Sequence, residues 1–233
     1  MRVLPPGVPA VPRAAPAVLP GAVAVLVGVA VLVVVVVPFL WPVVEHFATM
    51  AHEGAHACLA SLLGFTLTGV TLGRDARGMT SYWYRRTPSA GTRLTLTGFV
   101  GYLGPSAFGL CAAKLIETGR SITVLWLAIM LLVLLLFLIR KSFGIVSVPI
   151  AIALLAISMR YAHEGLQEVI SYGLTWLLLL SGTRTAMVHG ARAGDADFLH
   201  ATTHLPRRLW ALLWIAGTLL AVIIGGNWLV LRS

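Results

Sequence analysis

Apolar stretches of similar length, separated by short breaks that carry proline or arginine, dominate the chain. An uncharged run covers residues 21–39, and others follow at about 41–64, 94–116, 121–139, 143–159, 162–181 and 209–231. Each approaches the ~20 helical residues needed to cross about 30 Å of hydrocarbon. The pattern predicts an all-α polytopic membrane protein with about seven transmembrane helices, of which the 143–159 run is the shortest. Two breaks are long enough to hold structure. Thr, Val, Tyr and Trp on either side of a 73–78 turn containing Asp75 predict a small β-hairpin over residues 66–84. Residues 182–208 are polar. Ahead of the first run, residues 1–20 hold Pro5, Pro6, Pro9, Pro12, Pro16 and Pro20, which excludes a regular helix and predicts a disordered tail. Residues 21–233 then form a single integral membrane domain. The first run exceeds a signal-peptide core of about 7–15 residues and no small-residue cleavage site follows it, so it reads as a retained span.

Composition sharpens this class. Hydrophobic residues make up 58% and charged residues 11% of the 233 residues, and the mean hydropathy is +0.92. Soluble domains have roughly 45–50% and about 25%. A water-soluble enzyme of this size could not bury so much apolar side chain. The lipid bilayer is therefore the expected partner, and the net charge of +9 reports orientation rather than nucleic-acid binding. With a cytosolic N-terminus, thirteen of the 17 Lys and Arg fall in cytosolic segments and four outside. The expected localisation is a bacterial cell membrane, with the hairpin on the cytosolic side. Cys58 and Cys111 lie in apolar runs without metal-type spacing and read as buried packing residues rather than a disulfide.

The chemistry is concentrated in one run. His52-Glu53-Gly54-Ala55-His56 is an HExxH motif. On a helix, residues four apart share a face, so both imidazoles can address one ion. Zn2+ accepts neutral imidazole nitrogen and leaves an open tetrahedral position. Glu53 can take the proton of an activated water, as a general base. Ionisable groups inside a span are costly and normally functional. Glu45, Thr49, His52 and His56 form one polar stripe, in which Glu45 reads as an interfacial carboxylate and His46 as an interface or packing residue.

Two histidines leave a zinc site short of a protein ligand. Glu117 and Glu164 fall near the outer surface, His163 reads as interfacial, and Glu168 is a less favoured candidate. A ligand from the cytosolic side selects Asp195 or Asp197, or else Asp75, which reads better as a solvated turn residue. Spacing does not separate Asp195 from Asp197, because both face one way in an extended segment. Asp195 could equally cap a following helix. Gly98, Gly101, Gly104 and Gly109, with Pro105 and Ser106, give the third run a small face. Such a face serves close packing, or a bent helix lining a water-accessible site.

Four features in order resemble the site-2 protease family of intramembrane zinc metalloproteases, in its small bacterial and plant-type branch. They are the HEGAH of residues 52–56, the β-like stretch ending near Gly78-Met79-Thr80, the Gly-Tyr-Leu-Gly-Pro of residues 101–105, and Asp195-Ala196 followed by His204-Leu205-Pro206 and Trp210. The resemblance covers about residues 40–230. It implies a Zn2+ cofactor, a water nucleophile and cleavage of membrane protein substrates. His52 and His56 match the metal histidines, Glu53 the catalytic glutamate, and Asp195 takes the third-ligand role. Better-known members carry that ligand in an Asp-Gly motif within a later span, whereas here the matching span ends Leu-Leu-Leu-Ser-Gly without an acid. The alternative is a non-proteolytic membrane protein that keeps the HExxH helix, such as a zinc-holding scaffold, a chaperone-like binder or a transporter. A transporter should show repeats or paired broken helices, and none is visible.

Overall fold

The computed structural model describes residues 19–85, 87–140, 143–192 and 194–231. All but the last two residues of the proline-rich segment lie outside them. The elements run α1 (Gly21–Val36), α2 (Trp41–Leu62), β1 (Thr66–Leu72), β2 (Gly78–Trp83), α3 (Ala90–Glu117), α4 (Ser121–Leu138), α5 (Gly144–Tyr161), α6 (Glu164–His189), α7 (Asp195–Thr203) and α8 (Arg207–Leu231). Among the described residues the regular structure is thus helical apart from one antiparallel hairpin, at the place the composition indicated.

Among the described residues four helices, α3, α4, α5 and α8, are long and apolar enough to cross a membrane, and a fifth span is reached if the bent pair α1–α2 counts as one. The difference from seven has two causes. Helix α6 has the length, at 26 residues, but packs against α1, α3 and α8. Shielded by protein, it can carry Ser171, Thr175, Ser181 and Thr183 buried along its length. Helix α2 bends away from α1 by 102°. Val37 is extended ahead of Pro38, as a residue before proline prefers, and Pro42 sits in the first turn of α2, where its missing N–H costs nothing.

Helix directions follow from contacts. The Trp176 indole donates to the carbonyl of Ala24 at 3.1 Å, and Arg184 donates to the carbonyl of Val35 and covers the Trp41 ring. Helix α1 therefore runs alongside α6 in the same direction. Helices α3 and α8 oppose α6, since a Cβ on Gly109 or on Gly225 would touch Leu179, while Tyr102 and Trp214 cluster with Ala186. Helix α2 then crosses the bundle at the C-terminal end of α6, where Glu45 meets His189 at 2.9 Å. The described start of α1 and the hairpin consequently lie at opposite ends, whereas a seven-span reading places them at the same end. The polar stripe of α2 explains the difference, because it lowers the hydropathy of that helix and turns it toward the protein.

The hairpin joins this end through Val70, Leu72, Leu135, Ile139 and Val148, all buried. The Gly73 N–H to Arg77 carbonyl bond (2.7 Å) sets the phase of the ladder. By alternation, Gly78 and Thr80 direct their backbone groups away from β1. On the other edge the Val70 carbonyl is already taken by the Arg140 N–H at 2.9 Å. Cys58 and Cys111 are exposed rather than buried, and neither is paired among the described residues. His163 is the N-cap of α6, accepting from the Leu166 N–H at 3.2 Å.

This arrangement makes a labelling prediction. In a Cys58- and Cys111-free background, cysteines at Arg77 and Arg192 should both resist an impermeant thiol reagent in intact cells, whereas one at Pro20 should react. Reaction at Arg77 would invert the charge-based orientation, and protection at Pro20 would restore the seven-span path.

Candidate metal centre

His52 and His56 project one turn apart from α2, and their Nε2 atoms lie 3.1 Å from each other. Asp195 Oδ2 completes a triangle, 3.0 Å from His52 Nε2 and 3.2 Å from His56 Nε2. Two ligands about 2.0–2.1 Å from a tetrahedral Zn2+ are themselves about 3.3 Å apart. The three donors are therefore spaced as one ion requires, with little rearrangement, and a fourth position is left open. The triangle is the one group of three or more potential ligands among the described residues with its donor atoms within 4.8 Å.

The surroundings support the same reading. His56 Nδ1 lies 2.7 Å from the carbonyl of Thr97, an acceptor that keeps Nδ1 protonated and leaves Nε2 facing the site, where it donates to Asp195 when protonated and offers its lone pair to a metal when not. The Tyr102 ring meets the His52 ring edge-on at 4.8 Å. A Cβ on Gly101 would fall 2.4 Å from His56 Nε2 and 2.7 Å from His52 Cε1, so only glycine lets α3 pass behind both imidazoles. Gly104 plays the packing role, since its Cβ would meet that of Ala55 at 2.3 Å. Helix α3 continues through Pro105. Gly101→Ala should lower the zinc that the purified protein takes up from a zinc-containing buffer, read by metal analysis, while Gly91→Ala, which meets nothing within 4 Å, should match the wild type.

Asp195 arrives through α7. Gly194 takes φ +116°, a backbone geometry suited to glycine, and turns the chain so that Asp195 is the first helical residue. Ala196 and Leu199 anchor α7 in a cluster with Tyr102, Ala186 and Trp214. Phe198 lies where a side chain on Gly98 would be, with its Cδ1 2.8 Å from that Cβ position. No side-chain cap bond forms at α7, so the capping alternative for Asp195 is not adopted. Burial would raise the Asp195 carboxyl, but hydrogen bonds and charge from His52 and His56 outweigh it and hold the group well below the usual carboxylate range.

Asp197 points elsewhere and pairs with Arg207. The expectation that Asp195 and Asp197 share a direction held for a strand. On a helix, two residues differ by about 200°. Asp75 is the solvated turn residue, 3.3 Å from Arg77, and Glu117 pairs with Lys114 at 2.6 Å. Glu164 and Glu168 line a cavity formed with the 119–123 turn, away from the histidines. Glu45 is tied to His189 rather than left interfacial, and Thr49 donates to the carbonyl of Ala76 at 2.7 Å. His46 Nδ1 bonds the Pro42 carbonyl at 2.7 Å within its own helix.

Glu53 is 3% exposed. Its Oε2 accepts from the Thr80 hydroxyl at 2.6 Å, and a Cβ on Gly78 would collide with its carboxylate. The hairpin therefore holds the glutamate. Sequence spacing carries no signal for this contact across 27 residues, nor for Thr97 behind His56.

Residues 25–225 match the family model described as Peptidase M50B-like. No curated protein and no solved structure matches the chain. Most of the described bundle, including the histidine pair and the acid that meets it, lies inside the matched segment, and the chain belongs to the Peptidase M50B-like family.

Proposed function

We propose that the protein is a zinc-dependent intramembrane endopeptidase that hydrolyses peptide bonds of membrane protein substrates. The observation that carries this reading is the convergence of His52, His56 and Asp195 on one point, at the end of a bundle whose outer helices are apolar. His52, His56 and Asp195 would hold the ion. Zn2+, when bound, supplies a Lewis acid for the scissile carbonyl and makes water acidic enough to attack it near neutral pH.

The chain's own groups do the rest. Glu53, the neighbour of His52, takes the proton of the attacking water on its carboxylate and delivers it to the leaving amine. Thr80 orients that carboxylate. Thr97 sets the tautomer of His56. The outer edge of β2, where Gly78 and Thr80 point away from β1, offers donors and acceptors to an extended substrate segment beside Glu53. An unwound segment is what hydrolysis requires, because a helical substrate hides its carbonyls in its own hydrogen bonds.

Membrane proteomes of cells carrying the wild type or Glu53→Gln test the reading. At least one membrane protein should accumulate uncleaved in the variant, with a fragment ending within or beside its transmembrane segment found only with the wild type. Identical fragment patterns would favour a non-proteolytic membrane protein.

A further inference from the structure

At the end of the bundle opposite the hairpin lies a cavity of about 240 Å³. One wall is Arg120 with Ser121 and Thr123 from the first turn of α4, and the other is Glu164 and Glu168, one turn apart on α6. Glu168 is 7% exposed, and its Oε1 is buried without a hydrogen-bond donor. None of the ion pairs among the described residues involves Arg120, Glu164 or Glu168. A buried carboxylate without a partner is costly in a membrane protein and asks for a cation. The facing wall asks for the opposite, since a guanidinium beside a helix N-terminus is a site for an anion. A ligand that satisfies both walls carries an ammonium and an anionic group a short distance apart.

The residues around this cavity are of the kind found at a membrane surface. Below it α4 exposes Ile122 and Trp126, and α5 ends on exposed Tyr161, the kind of apolar and aromatic residues that mark the headgroup level. We propose that the cavity binds the phosphoethanolamine headgroup of a phospholipid, with the ammonium on Glu164 and Glu168 and the phosphate against Arg120 and the start of α4. A primary ammonium brings three N–H donors and can satisfy Glu168 Oε1. A choline headgroup has none, and a glycerol headgroup has no cation.

The test uses the full chain purified in detergent. Dioctanoyl phosphatidylethanolamine, phosphatidylcholine and phosphatidylglycerol are offered in turn, and retained lipid is counted by native mass spectrometry. The ethanolamine lipid should be retained about tenfold more strongly than either of the others, one charge-assisted contact being worth about that factor. Glu168→Gln, isosteric and uncharged, should remove the preference, and so should Arg120→Gln, with thermal unfolding and zinc content unchanged in both. Equal retention of the three lipids, or a preference that survives Glu168→Gln, would overturn the proposal. Competition by free phosphoethanolamine at the same concentration as the lipid would overturn the lipid as its source. Displacement by Mg2+ or Ca2+ would show a cation site instead.

Discussion

Glu53→Gln is expected to abolish proteolysis while the purified protein keeps its zinc. The substitution removes the group that accepts a proton but leaves the metal donors His52, His56 and Asp195 in place. It also preserves shape, so the Thr80 hydroxyl can still donate to the side-chain oxygen it meets at 2.6 Å. Loss of a positioned general base costs about 10²–10⁴ in rate. A transmembrane reporter co-reconstituted with the protein would show this as a missing fragment, and metal analysis of the same sample would give the zinc content. Cleavage by Glu53→Gln at the wild-type rate would remove Glu53 from the chemistry. Loss of zinc together with activity would make its role structural.

Asp195→Asn should lower zinc affinity at least about 100-fold, the upper range even for residues that merely support a metal ligand. The amide has nearly the shape of the carboxylate but no charge, and its oxygen is a poorer donor to Zn2+. Asp197→Asn is the control. Its carboxylate faces away from the histidines and pairs with a half-exposed Arg207, a contact worth about 0–1 kcal/mol. That variant should keep its zinc. The opposite outcome, with Asp197→Asn losing metal and Asp195→Asn retaining it, would mean that α7 is rotated in the metal-bound protein. Competition with a zinc-chelating dye measures both.

The elements were legible to within a few residues where apolar runs end at prolines or charges, as at Pro38 and Arg120. They were not legible where hydropathy and helix part company. Helix α6 extends to His189, past the last apolar residues of the 162–181 run, because its polar end is held by protein contacts, including Glu45. Helix α2 carries the density of ionisable groups that marked the candidate metal site, and the same density keeps it from being an ordinary span. The histidine pair was visible because i, i+4 spacing is local. Asp195 lies 139 residues from His56 in sequence, so only the resemblance of its Asp-Ala block singled it out over Asp197. The 100° step of the α7 helix then separated the two. Gly101 stood out as one of a row of small residues, but that its missing side chain makes room for two imidazoles depends on how α2 and α3 cross. Thr80 and Thr97 carry no periodicity at all. Their roles come from the hairpin folding back on α2 and from an α3 carbonyl facing His56.

Peptide-bond cleavage should depend on a metal held by this chain. The purified wild type, reconstituted with a transmembrane substrate, can be stripped by a chelator and then supplied with zinc at about one equivalent. Fragment formation should stop on stripping and return with the added zinc. Fragment formation that continues in protein shown by metal analysis to be free of zinc would contradict it.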